Sequence, residues 1–199
     1  MKAIVFDLGG VLIDWNPRHL YSRIFADEQE MEHFLAEVCP MSWNVEMDGG
    51  KPFAQGCAER VALFARYERE INAYFTCWPE MLGGALEGTV QLLQELKQKG
   101  YPVYALTNWS AETFPFAQQK FPFLKEFDGI VMSGEEKCVK PDARLYKILL
   151  TRYQLASKDC FFTDDNPANI ETARGLGFDA CLFTGAENLR AALTQRGVL

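Results

Sequence analysis

Histidine is nearly missing from this chain: His19 and His33 are the two in 199 residues. Both fall on expected helices and read as ordinary surface or core residues. The six cysteines, Cys39, Cys57, Cys77, Cys138, Cys160 and Cys181, are scattered, and no C-x-x-C pair occurs. A zinc site built on such pairs is therefore not expected. Secreted disulfide scaffolds are short and cysteine-dense, so these side chains read as buried reduced thiols. No apolar run reaches the roughly 18 residues that a membrane helix needs. The first apolar stretch carries Asp7, which spoils a signal-peptide reading. Positive charge is in deficit, with 20 Lys and Arg against 27 Asp and Glu. The net charge of −7 excludes a bulk basic surface for nucleic acid. Repeats and low-complexity tracts are absent too. A cytoplasmic protein is expected, without membrane or nucleic-acid partners, as a monomer or weak homodimer.

What is present is a series of short apolar runs. They are Ala3–Phe6, Val103–Leu106, Ile130–Met132, Cys160–Phe162 and Ala180–Phe183. Runs this short and this apolar suit strands buried on both faces. Helical signals fill the later gaps. Thr89 can cap a helix carrying Leu92, Leu93 and Leu96 that stops at Gly100. Asp142 can cap a second, with Leu145, Ile148 and Leu149. Asn166-Pro167 opens a third, ending near Gly177. Alternating strand and helix predicts an α/β fold: a Rossmann-like parallel sheet with helices on both faces.

The segment between Asp14 and Gly88 shows no convincing strand. Asn16-Pro17 starts a helix, Asp27-x-x-Glu30 resembles a capping box, and another helical stretch runs near Phe53 to Phe64. The expected division is a core of residues 1–14 and 86–199, with residues 15–85 as a small all-helical cap over the carboxyl edge of the sheet. Of the cap aromatics, Trp15, Tyr21, Trp43, Phe53 and Trp78 could stack on a sugar or pack the core.

The polar residues collect at strand ends. Asp7 follows the first strand and precedes Leu8-Gly9-Gly10. Thr107-Asn108 ends the second, Thr163-Asp164-Asp165-Asn166 ends the fourth, and Lys140-Pro141 precedes the helix leading into the fourth. Each has a plain structural reading as turn chemistry, a helix cap or a solvated charge. In an open parallel sheet, however, the carboxyl ends of the strands share one edge, where ligands bind. Three carboxylates and one lysine meeting there leave two negative charges uncompensated, and Mg²⁺ restores neutrality with oxygen ligands. Backbone amides after Asp7, Thr107, Asn108 and Lys140 can then cradle a phosphate.

In order and spacing, Phe6-Asp7-Leu8-Gly9-Gly10-Val11-Leu12, Leu106-Thr107-Asn108, Lys140-Pro141-Asp142 and Phe162-Thr163-Asp164-Asp165-Asn166-Pro167 resemble the haloacid dehalogenase-like (HAD) hydrolase superfamily. The helical insertion looks like that family's C1-type cap. Asp14-Trp15-Asn16-Pro17 is similar to the subgroup containing bacterial α-D-glucose-1-phosphate phosphatases. The resemblance implies Mg²⁺-dependent hydrolysis of a small phosphorylated metabolite through an aspartyl-phosphate. Asp7 would be the nucleophile, and Asp7, the Gly9 carbonyl and Asp164 would hold the metal. Asp165 would orient Lys140 and a water. Thr107, Asn108 and Lys140 would bind the phosphoryl oxygens, with Leu8 and Gly9 adding backbone contacts.

One position departs from the family. Most of its phosphatases carry a second Asp, a general acid and base, two residues after the nucleophile, where this chain has Gly9. A good leaving group such as an anomeric sugar phosphate would lessen the need for it. Otherwise a cap residue or water replaces it, Asp14 and Asn16 being nearest in sequence. Two rival readings stand beside the phosphatase. One is a metal-independent 2-haloacid dehalogenase, with Arg18, Arg23 and Trp15 serving the carboxylate. The other is a regulatory or scaffold protein of low activity.

Overall fold

The computed structural model describes residues 2–199. Strand β1 (Ala3–Phe6) is buried along its whole length. Ile4 and Phe6 enter one apolar core, while Ala3 and Val5 enter another. That alternation is what a strand covered on both faces requires. A tight loop leads to β2 (Ile13–Trp15). Then follow helices α1 (Arg18–Ile24), α2 (Glu28–His33) with a π-helical continuation over Phe34–Val38, α3 (Met41–Asp48), α4 (Phe53–Leu63) and α5 (Glu68–Thr76). Strand β3 (Leu82–Ala85) returns antiparallel to β2, pairing Ile13 with Ala85 and Asp14 with Gly84.

This two-stranded ribbon corrects the expectation that no strand lies between Asp14 and Gly88. Each strand is too short for period-2 alternation to register, and two of the four β3 residues are glycines, which are depleted in strands. The ribbon sits where the helical insertion leaves and rejoins the sheet-bearing part of the chain.

The remaining chain runs α6 (Glu87–Gln98), β4 (Val103–Thr107), α7 (Phe114–Lys120), β5 (Gly129–Met132), α8 (Ser133–Glu136), α9 (Ala143–Arg152), β6 (Cys160–Asp164), α10 (Pro167–Gly175), β7 (Asp179–Leu182) and α11 (Ala186–Gln195). The five expected strands are all found, and they form one parallel sheet in the order β5-β4-β1-β6-β7. Leu92, Leu93 and Leu96 of α6 join Leu189 and Leu193 of α11 in the core on one face. Tyr146 and Leu149 of α9 join Ile170 and Ala173 of α10 on the other. The fold is α/β and Rossmann-like. The first strand in sequence lies at the centre, so the strand order switches at its carboxyl end, where such sheets open a binding crevice.

Local signals explain the helix starts. Asp142 accepts the Arg144 amide at 2.8 Å and Asn166 accepts the Ala168 amide at 3.0 Å. Asp27 likewise takes the Gln29 amide at 2.9 Å. Thr89 is not a cap: α6 begins at Glu87, and Thr89 is buried in its first turn. All six cysteines are free thiols, four buried and two (Cys77 and Cys181) half-buried. Among the described residues, no helix is long and apolar enough to cross a membrane.

Candidate active site

A cavity of about 370 Å³ opens at the carboxyl end of β1. Its sheet-side wall includes Asp7, Gly9, Gly10, Asn108, Lys140 and Asp165. The helical insertion supplies Met41, Asn44, Val45 and Asp48 from α3, with Trp15 and Trp78 beside them. Residues from all four strand-end motifs thus converge, as the parallel sheet dictates.

Asp7 comes directly after β1, and its backbone amide still donates to the Thr163 carbonyl of β6 at 2.9 Å. The carboxylate oxygen Oδ1 accepts from the Leu8 amide at 2.7 Å and lies 2.9 Å from Lys140 Nζ. The Leu8 amide, expected on phosphate, therefore faces the Asp7 carboxylate here. Lys140 is 3% exposed, and its ammonium also reaches Asp164 Oδ2 at 2.6 Å and the Leu106 carbonyl at 2.8 Å. Three acceptors use all three of its N–H bonds.

The acidic doublet divides differently from the expectation. Asp164, not Asp165, takes Lys140. Asp164 is wholly buried and also accepts from the Asn166 amide at 2.8 Å and from Asn169 Nδ2 at 2.9 and 3.0 Å. Asp165 is the partner that reaches the cavity wall. One carboxylate oxygen from each of Asp7, Asp164 and Asp165 lies within 4.8 Å of the others. Desolvation pushes the Asp7 carboxyl up to about 7; Lys140 opposes this, and the charges of Asp164 and Asp165 add to it. Burial, then Asp164, likewise raises Asp165. Burial alone would lower Lys140, but Asp7 and Asp164 hold it above its ordinary value. The cluster has one positive charge for three negative ones, and the donor set is all oxygen. That fits a hard divalent cation such as Mg²⁺.

Asn108 is a support rather than a free donor through its side chain. Its Oδ1 accepts the Lys140 amide at 2.7 Å and its Nδ2 donates to the Lys140 carbonyl at 3.0 Å. This reciprocal pair fixes Lys140 from β4. The Thr107 hydroxyl ends the same strand, fully buried with no hydrogen-bond partner. An unpaired buried hydroxyl costs about 1–3 kcal/mol. Thr107 itself is not part of the cavity lining, so only its neighbour Asn108 reaches the open space.

The loop after Asp7 depends on Gly10. Its φ is +73°, and a Cβ there would lie 2.2 Å from Asp165 Oδ2. A Cβ added at Gly9 would meet nothing within 4 Å. Gly10→Ala should therefore cost about 1–3 kcal/mol, while Gly9→Ala leaves the fold within about 1 kcal/mol. Urea unfolding of the two variants side by side checks this; equal losses would contradict the geometry.

Asp14 and Asn16, the acid replacements nearest in sequence, are not in the cavity. Asp14 Oδ2 bonds His19 Nε2 at 2.9 Å, and Asn16 Oδ1 accepts the Arg18 amide at 3.0 Å. Trp15 and Trp78 line the cavity, but Trp78 is nearly wholly buried against Trp109 and Phe116, and Tyr21, Trp43 and Phe53 pack the core. Asn44, Asp48 and Trp109 are cavity residues that sequence reasoning missed. Helical spacing gives no direction for the first two, and Trp109 carries only the signal of following Thr107-Asn108.

The fold and this acidic, lysine-bridged crevice define a hydrolase of the α/β type. The chain belongs to the haloacid dehalogenase-like hydrolase family, whose model matches residues 1–177. It is 29% identical over 177 residues to the sesquiterpene phosphatase astK of Aspergillus oryzae, covering 88% of this chain and 86% of that one. It is 20% identical over 179 residues to a phosphorylated carbohydrates phosphatase of Thermotoga maritima, covering 90% and 83%. Two other relatives are longer, and the match spans 36% and 17% of their lengths. Among solved structures, a HAD family enzyme of Bacteroides thetaiotaomicron in complex with magnesium and inorganic phosphate superposes with a TM-score of 0.70. That match has 23% identity and covers 93% of this chain and 95% of that one.

Proposed function

We propose that this chain is a Mg²⁺-dependent phosphatase acting on a small phosphomonoester through an aspartyl-phosphate on Asp7. The observation that carries this reading is the Asp7–Lys140–Asp164–Asp165 cluster at the wall of the cavity. Asp7, Asp165 and the Gly9 carbonyl would hold the metal from the cavity side. Asp164 would act chiefly by fixing Lys140. When bound, Mg²⁺ neutralises the carboxylates and draws charge from the phosphoryl oxygens. Two donors on Asp7 Oδ1 fix its rotamer, so the carboxylate is presented to phosphorus without reorganisation. Asn108 keeps Lys140 in place, which leaves the strand-end backbone amides as the groups available for phosphoryl oxygens.

The cavity also limits the rest of the substrate. Its sole cation is Lys140, already fully committed, and its outer wall carries Trp15, Met41, Trp78 and Trp109. Such a wall suits an uncharged leaving group, and the half-buried Trp15 is the indole there with surface left for a sugar. We infer an anomeric sugar phosphate, in line with the similarity around Asp14-Trp15-Asn16-Pro17. The phosphatase names of two relatives support the class of reaction. The dehalogenase reading is disfavoured because, among the described residues, no free cation faces the cavity to take the substrate's carboxylate. Arg18 pairs with Glu32 at 2.5 Å and Arg23 with Glu80 at 2.6 Å, both on exposed ground outside the cavity. The protein with Mg²⁺ should release phosphate from p-nitrophenyl phosphate, and a chelator should reduce the rate at least about 100-fold. Halide release from a 2-haloacid that persists with chelator would sink the proposal.

A further inference from the structure

Resting on the phosphatase reading, we propose that Asp48 of the helical insertion is the proton donor to the leaving oxygen. An alkoxide leaves poorly unless it is protonated as its bond to phosphorus breaks. The residue two positions after Asp7 is Gly9, which has no side chain and faces open space. Other groups around the cavity are already engaged. Lys140 has every N–H in use, Asp7 is the nucleophile, and Asp165 belongs to the carboxylate cluster. The insertion and its flanks contribute Trp15, Met41, Asn44, Val45, Asp48 and Trp78 to the wall, and of these only Asp48 can carry a transferable proton.

Asp48 is held in place from both sides. Its Oδ2 accepts from Asn44 Nδ2 at 2.9 Å, and Asn44 Oδ1 in turn accepts from the buried Tyr74 hydroxyl at 3.2 Å. Its backbone carbonyl accepts from Ser133 Oγ, at the start of α8 just after β5, at 2.6 Å. The carboxyl therefore sits at the junction of α3 and the sheet. No cation pairs with it among the described residues. Lys51 turns to Glu46 and Glu59, Lys137 reaches the Gly50 carbonyl, and Lys140 lies across the cavity with Asp7 and Asp164. Burial raises the Asp48 carboxyl to about 7, with the Ser110 backbone opposing and the Asp7 charge adding. A protonated fraction near neutral pH is thus available.

The proton balance closes over two steps. As Asp7 forms its bond to phosphorus and the ester P–O bond breaks, the Asp48 O–H passes its proton to the departing oxygen. The alcohol leaves, and Asp48 is a carboxylate. That carboxylate then takes a proton from the water that attacks the aspartyl-phosphate. Phosphate departs, Asp7 is freed and Asp48 is again protonated.

The test compares leaving groups in the full chain with Mg²⁺. Asp48→Asn should slow phosphorylation by glycerol 3-phosphate about 10²–10⁴-fold. With p-nitrophenyl phosphate, whose phenolate needs little protonation, the same variant should give a stoichiometric burst of nitrophenol followed by slow turnover. Asp48→Ser gives the same comparison should the amide not fold. Asp14→Asn, on the neighbouring ribbon, should match the wild type with both esters. Equal slowing of the phosphorylation step for both esters, or slowing for neither, would overturn the assignment. Absence of phosphate release by the wild type from either ester would instead remove the underlying phosphatase reading.

Discussion

Asp7→Asn should abolish turnover and, in the metal-free protein, raise the melting temperature. The kinetic half follows from chemistry. The amide cannot form the acyl phosphate, and losing the nucleophile of a covalent mechanism costs on the order of 10⁴-fold or more. The stability half follows from the sign of a shift. Burial and the neighbouring carboxylates push the folded-state pKa of Asp7 from 3.8 up to about 7, against the pull of Lys140. A raised acid pKa means that the fold prefers the protonated form. The stability linked to this group is complete below pH about 4 and is lost as the pH climbs through 7. Metal-free wild type should therefore melt lower at pH 8 than at pH 5, and Asp48 and Asp165, shifted the same way, add to the trend. The asparagine variant removes one charge from that contest. Its melting point should exceed the wild type's by several degrees at pH 8 and approach it at pH 5. Thermal melts with chelator at the two pH values, beside a phosphate-release assay, check both halves. A variant that turns over, or that is less stable at pH 8, would contradict the charge arrangement described for the cluster.

The sequence reveals the parts of the site that are tied to strand ends, because strand ends have a recognisable context. Asp7, Thr107 and Asp164 each belong to the end of a short apolar run, and a parallel sheet sends all three to one edge whatever the details of packing. The helix caps at Asp142 and Asn166 are legible for a similar reason: capping is local. What stays hidden is rotational or tertiary. Which member of the Asp164–Asp165 doublet turns inward depends on the twist of β6 as it ends, and the structure buries the first. Asn108 reads as a ligand to phosphate, yet its amide group closes on the Lys140 backbone 32 positions away. Asp48 is invisible because nothing in α3 distinguishes its cavity face from its solvent face by apolar spacing. The β2–β3 ribbon escapes notice because strands of three and four residues offer too few positions for a pattern.

Lys140→Met should be the most destabilising single change at the site. The ammonium is buried, bonded to Asp7, Asp164 and the Leu106 carbonyl, and is the sole cation among three carboxylates. Removing one member of a buried ion cluster leaves the others uncompensated, at a cost of about 3–5 kcal/mol. For a chain of this size that corresponds to a melting point lowered by roughly 6–20 °C. The direction of rescue identifies the cause. Acid should narrow the gap, because protonating Asp7 and Asp165 removes the repulsion. Mg²⁺ should narrow it further at pH 8, because the cation restores the charge that the lysine carried, and it should raise the variant's melting point more than the wild type's. Turnover should not return with the metal, since Asp7 Oδ1 would keep the Leu8 amide but still lack the second of the two donors that set its orientation. Equal thermal gains from Mg²⁺ in the two proteins would mean that the lysine is held for packing alone. A gain confined to the variant's stability, with activity still absent, separates charge balance from nucleophile alignment within one residue.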